Sequence, residues 1–214
     1  TTGSCNPAQH YMVDTSRKLA QIEEYIEEGL YFTINRARQF GKTTTMDSLF
    51  RLLSGKYFMI KISFEGLGEE DYREGRLFLS EFQKILVKKI KTVSPDLADF
   101  WKTPALSFGD LSQKVYDFCK LVNKPVVLMI DEVDKSQNNQ LFLDLLGMLR
   151  NLYLERSESG DMHSTFHSVI LAGVYDVKNL KIKLRPDEER KYNSPWNIAA
   201  DFDVEIGRAS CRER

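Results

Sequence analysis

Leu30-Tyr31-Phe32-Thr33-Ile34-Asn35-Arg36-Ala37-Arg38-Gln39-Phe40-Gly41-Lys42-Thr43-Thr44-Thr45 decides how this chain is read. A short apolar strand, a basic loop and a Gly-Lys-Thr at the head of a helix follow one another, the layout of a phosphate-binding P-loop. Gly41 lets the backbone come close to a phosphate, and Lys42 reaches the β- and γ-phosphates. The Thr43 hydroxyl can meet Mg²⁺, while the N–H groups of the first helical turn, to which Thr44 belongs, point at the anion. The spacing departs from G-x-x-x-x-G-K-[ST] at one place, since Arg36 stands where the first glycine would be. Arg36 and Arg38 offer guanidinium groups to the phosphates, the alternative being turn positions that face solvent. The tripeptide is common, so its surroundings must carry the reading.

Those surroundings supply a second half. Val126-Val127-Leu128-Met129-Ile130 is a continuous β-branched and aliphatic run that suits a strand buried on both faces, and Asp131-Glu132 follow directly. At the carboxyl end of a parallel strand, Asp131 would hold Mg²⁺ through water and Glu132 would orient or deprotonate the attacking water. Either motif alone is as readily a plain helix start or a capping acidic pair. Together, on strands and in this order, they make a nucleotide site the expected reading. In P-loop proteins of this catalytic-glutamate type, a strand from later in the chain lies between these two, and Phe166–Leu171 is the candidate.

Helical periodicity fills the intervals. Asp14 or Thr15 caps a helix to about Glu28 that Gly29 stops. Further helices are expected over 42–53, about 75–93, about 108–122 and 139–154, with a strand over 57–64. Pro95 and Pro104 bracket a surface connection containing Trp101, and 155–164 reads as polar loop. The expected fold class is α/β: a P-loop NTPase with a mainly parallel sheet covered by helices on both faces. Its parts are an N-terminal opening segment and helix over 1–29 and the P-loop domain over 30–204. Residues 205–214 have lost all apolar periodicity and read as a vector or adaptor junction.

Composition narrows the partners. Of 214 residues, 42% are hydrophobic and 29% charged, which fits a globular chain, and the net charge of −1 gives no global pull toward nucleic acid or membrane. The longest wholly aliphatic run, 126–130, is far too short for a membrane span. Cys5, Cys119 and Cys211 are scattered and odd in number, which favours a reducing cytoplasm. His163 and His167 stand four apart, but in a loop running into a strand and without a third ligand, which does not favour a metal. Lys84, Lys88, Lys89 and Lys91, then Lys178, Lys181, Lys183, Arg185, Arg190 and Lys191, are local basic clusters. A solvated face explains them as well as a nucleic-acid contact does, and Arg185 leads the candidates for a γ-phosphate sensor or finger.

With these residues in hand, the chain resembles the AAA-ATPase-like family of bacterial P-loop ATPases, in which a nuclease-like PD-(D/E)XK domain often follows. The resemblance rests on Tyr11-Met12-Val13-Asp14, on Ile34 to Thr44, and on Val127-Leu128-Met129-Ile130-Asp131-Glu132-Val133-Asp134. It extends through Ile170-Leu171-Ala172-Gly173-Val174-Tyr175 and Asn193-Ser194-Pro195-Trp196-Asn197-Ile198, and so covers about 1–204. Arginine in place of the first P-loop glycine is itself typical of this family. The resemblance implies ATP and Mg²⁺ as cofactors and ATP hydrolysis as the activity. It assigns phosphate binding to Gly41, Lys42 and Thr43, with Asp131 and Glu132 in the metal and water-activating roles. It also implies a truncated N-terminal ATPase fragment whose nuclease-like effector domain is missing.

Expected partners are ATP, further copies of the chain, and nucleic acid through the missing domain, with no membrane. Two other readings stay open. One is a nucleotide-binding switch that scarcely hydrolyses, suggested by Arg36 and by the lack of a polar sensor at Ala172-Gly173. The other is a nucleic-acid-binding module built on the lysine clusters.

Overall fold

All six residues of Val126–Asp131 are buried, so the chain must cover this strand on both faces and pair it on both edges. The computed structural model, which describes residues 16–35, 42–133, 139–173 and 200–202, shows how. Among those residues the strands are β1 (Tyr31–Asn35), β2 (Phe58–Ser63), β3 (Val126–Asp131), β4 (Ser168–Gly173) and β5 (Ala200–Phe202). They form one parallel sheet in the order β2-β3-β4-β1-β5. β4 therefore lies between the strand before the Gly-Lys-Thr and the strand before Asp131-Glu132, as the sequence leads one to expect. β5 was not foreseen; its three residues beside β1 carry no pattern of their own.

The helices are α1 (Ser16–Glu27), α2 (Lys42–Leu53), α3 (Gly75–Val93), α4 (Pro95–Ala98), α5 (Phe108–Leu121) and α6 (Gln140–Ser159). Strand alternation sorts them onto two faces. On one, Phe32, Ile34, Met59, Val127, Met129, Ile170 and Ala172 meet Ile22 and Ile26 of α1 and Met46, Leu49 and Leu53 of α2. On the other, Tyr31, Ile60, Ile62, Leu128, Ile130, Val169 and Leu171 meet α3, α5 and α6 in a larger core. Each of these large side chains contributes roughly 1.5–3 kcal/mol when fully buried. Together with the strand order, the three layers make this an α/β P-loop NTPase fold.

Local chemistry fixes the helix ends. Ser107 accepts a hydrogen bond from Asp110 N at 3.1 Å, and Leu106 N returns one to the Asp110 carboxylate at 3.0 Å. Asn139 caps α6 by accepting from Leu141 N at 2.9 Å. Gly29, at φ +69°, ends α1; its conformation suits glycine, and a Cβ there would come 2.7 Å from Met162 Cε.

Two sequence expectations need correction. The segment around Trp101 is no surface connection: α4 and a 3-10 turn over Asp99–Lys102 tuck the indole into the core at 2% exposure, against Phe100 and Phe118. A large apolar ring outweighs the loop signal of the flanking prolines. α6 does not stop at 154 but runs to Ser159, because Arg156 on its last turn is itself buried. The arginine donates to the carbonyls of Phe166 (2.7 Å), Gly29 (2.5 Å) and His167, and lies 5.4 and 5.0 Å from the Tyr31 and Tyr153 ring centroids.

Candidate nucleotide site

Parallel pairing brings the carboxyl ends of the strands to one edge of the sheet. In register, Asn35 stands opposite Gly173, and Ser63 opposite Asp131. α2 begins at Lys42 on that edge, so the N–H groups of its first turn and the positive end of its dipole lie there.

One contact ties the two halves of the sequence motif together. Thr43 Oγ1 donates to Asp131 Oδ2 at 3.2 Å, across 88 positions of chain. Asp131 is almost wholly buried, at 4% exposure, and its other oxygen accepts from Glu132 N at 2.9 Å. Asp131 Oδ2 and the Thr43 hydroxyl are both hard oxygen donors, the kind that Mg²⁺ takes. Among the described residues no three His, Cys, Asp or Glu side chains are grouped to hold a metal.

Glu132 is half-buried and has φ 57°, the only non-glycine residue with positive φ among the described residues. A left-handed glutamate costs on the order of 1 kcal/mol, and such strain gathers where a side chain must be aimed. The turn ends the strand at Asp131, and Val133 beyond it is buried again.

Asp131, Glu132 and Thr43 share a cleft of about 370 Å³ with Asp47 of α2, Lys61 of β2 and Lys89 of α3. Lys61 Nζ lies 2.5 Å from Asp47 Oδ1. Sequence reasoning passed over this pair, although its signals are visible. Asp47 is four residues beyond Thr43 on one helix face, and Lys61 is a lone charge within an apolar strand.

Thr44 is half-buried on the first turn of α2. Lys42 opens that helix, but its side chain, together with Arg36, Arg38, Gly41 and the cluster from Lys178 to Lys191 with Arg185, lies outside the described residues, as does the 205–214 tail. β4 reaches its end through Leu171, Ala172 and Gly173 without a polar side chain. His163 and His167 do come together, with ring centroids 6.3 Å apart, far from the strand ends just described and beside Tyr57 at 5.5 Å from His167. Lys84 pairs with Glu81 at 2.6 Å, while Lys88, Lys89 and Lys91 are exposed on α3. Among the described residues no helix is long and apolar enough to cross a membrane.

A family model described as an AAA-like domain matches residues 3–184. No curated protein matches the sequence. Similar solved structures include Drosophila ORC bound to DNA, at 13% identity and TM-score 0.47, covering 78% of each chain. Aeropyrum pernix ORC1 in complex with DNA is similar at 12% identity and TM-score 0.47, covering 76% of this chain and 39% of that one. Pyrobaculum aerophilum Cdc6p is similar at 15% identity and TM-score 0.46, covering 82% and 44%. The present chain thus spans less than half the length of either archaeal protein. With a family match over most of its length, the chain belongs to the AAA-like domain family and carries a nucleotide-binding domain of the P-loop ATPase type.

Proposed function

We propose that this chain binds ATP with Mg²⁺ and hydrolyses it to ADP and phosphate. The observation that carries the reading is the 3.2 Å contact between Thr43 Oγ1 and Asp131 Oδ2, which unites the helix after the P-loop with the acidic end of β3. Gly41, Lys42, Thr43 and Thr44 cradle the phosphates, with Arg38 adding charge from the loop. Thr43 and Asp131 hold the metal. Mg²⁺ held there would supply Lewis-acid neutralisation of phosphate charge. Lys42 offsets phosphate charge from the helix side as negative charge moves to the leaving oxygen. Glu132 orients the attacking water and accepts its proton.

The catalytic-glutamate reading is tested by measuring Mg²⁺-ATP binding and phosphate release on the parent, Lys42→Ala and Glu132→Gln. Binding is expected to vanish in Lys42→Ala. It should persist in Glu132→Gln, with turnover lower by about 10²–10⁴-fold. Equal turnover in Glu132→Gln overturns the assignment of the base.

A second reading has its own support: β4 ends without a polar side chain up to Gly173, so a γ-phosphate sensor is not supplied by that strand. On this reading the chain is a switch that binds ATP tightly and releases scarcely any phosphate until another subunit or domain completes the site. In either case the nucleotide state is read out by an effector, nuclease-like as in the family resemblance, acting in the cytoplasm, with nucleic acid and further copies of the chain as the candidate partners.

A further inference from the structure

Two polar contacts, one helical turn apart, join α2 to the sheet beside an apolar seam. Thr43 and Asp47 occupy i and i+4 and therefore share a face of α2. Beneath them Lys61 stands opposite Met129 in register and Ser63 opposite Asp131, so Lys61 and Asp131 are diagonal neighbours on one face of the sheet. Thr43 meets Asp131 at 3.2 Å and Asp47 meets Lys61 at 2.5 Å. On the same side of the sheet, Met46, Leu49 and Leu53 of α2 share an apolar cluster with Met59, Val127 and Met129.

The Asp47–Lys61 pair is also drawn out of water. Its side chains are 27% and 20% exposed, whereas each of Lys56–Glu27, Arg73–Glu70, Lys84–Glu81 and Lys102–Asp99 has at least one partner more than half exposed. Surface pairs of that open kind do little. A half-buried, charge-assisted contact is stronger and directional.

We infer that Asp47 and Lys61 are a positioning pair for the Mg²⁺-nucleotide site, fixing the height of the first turns of α2 over β2 and β3. The inference rests on the proposed function. Apolar packing is non-directional and leaves a helix free to slide or roll by fractions of an ångström. Mg²⁺ tolerates little such freedom, because it demands near-octahedral oxygens at about 2.0–2.1 Å. One turn before the pair stand Thr43 Oγ1 and, across from it, Asp131, the two donors whose separation must be right. The pair thus acts on the metal-dependent part of nucleotide affinity. Affinity for ATP in the absence of the metal is expected not to depend on it.

The test is calorimetric titration of the intact chain with ATP, once with Mg²⁺ and once with EDTA, on the parent, Asp47→Asn, Lys61→Met and Lys61→Arg. Affinity for Mg²⁺-ATP is expected to fall about tenfold in Asp47→Asn and Lys61→Met, the low end for outer partners of a metal site, with affinity for metal-free ATP held within about twofold. Lys61→Arg, which keeps the charge, restores the Mg²⁺ increment. Equal falls in both conditions, or no fall in either, overturn the inference. Where Lys61→Met does not fold, Asp47→Asn, which keeps shape and volume, decides. A parent that binds ATP in neither condition overturns the nucleotide reading itself, and no variant result imitates that.

Discussion

The two ends of the sheet use charge in opposite ways. At the carboxyl ends, Thr43, Asp47, Lys61, Asp131 and Glu132 line an open cleft, and the backbone at Glu132 is strained. At the amino ends, one guanidinium, Arg156, is buried at 1% exposure and given over to the carbonyls of Gly29, Phe166 and His167. Both places hold buried charge, which a domain tolerates only with partners. The cleft keeps its polar groups where a ligand can reach them, and Arg156 has no such outlet. It staples the α1–β1 turn, α6 and the approach to β4 into one unit. Substitutions at the two ends should therefore separate activity from stability.

The largest effect expected is at the cleft: Glu132→Gln loses turnover by about 10²–10⁴-fold while its thermal midpoint stays within a few degrees of the parent. A midpoint that drops with the turnover would mean that Glu132 is structural and would erase the contrast. Arg156→Met reverses the pattern. Gly29 and His167 lose a buried donor, whereas the Phe166 carbonyl still receives the Tyr31 hydroxyl at 3.1 Å, so a cost of about 3 kcal/mol is expected in urea unfolding. ATP affinity of the folded fraction should be unchanged; a loss of affinity out of proportion to stability would tie the two ends together. Glu132→Gly is smaller and opposite in sign for stability. Removing the left-handed penalty is expected to raise unfolding free energy by about 1 kcal/mol while turnover is lost, and a destabilised glycine variant would show that the turn is not strained.

The carboxyl-end site is much more legible in the sequence than the amino-end staple, for a physical reason. Gly41-Lys42-Thr43 and Asp131-Glu132 each sit beside the strand or helix that aims them, so adjacency in sequence already encodes direction, whereas the insertion of β4 was expected only by likeness to P-loop proteins of the catalytic-glutamate type. Thr43 and Asp131 were expected in one site and stand in contact. Arg156 was invisible because its partners are backbone carbonyls of Gly29, Phe166 and His167, and a carbonyl leaves no mark on residue identity. Lys61 and Asp47 fall between these cases, since each breaks its local pattern but only the strand register shows them facing one another. Trp101 was misplaced because prolines report chain direction and say nothing about which ring faces inward. Arg36, Arg38 and Gly41 lie outside the described residues, so the loop part of the site rests on sequence and family.

The amino end also predicts the smallest effect, a pH dependence with a definite sign. His167 is 7% exposed, and neither ring nitrogen has a hydrogen-bond partner among the described residues. Burial lowers its pKa below the usual 6.5, the Arg156 charge and His163 lower it further, and the nearby carbonyls of Ile26 and Met162 only partly oppose them. The folded state thus holds the ring neutral where the unfolded chain would take a proton. Its contribution to stability is full above the ordinary histidine value and is lost as pH falls from 6.5 toward the lowered folded value. Unfolding midpoints in urea should therefore drop between pH 7.5 and pH 5, and His167→Phe, which fills a similar volume beside Tyr57, should remove part of that drop. An identical drop in His167→Phe would assign the acid sensitivity to other groups. Arg156→Met sharpens the same point. With the neighbouring charge gone, His167 should protonate at higher pH, so the remaining stability of that variant should vary less across this window than the parent's. Were the slope to stay the same, burial alone would govern His167, and the guanidinium would act only through the carbonyls it holds.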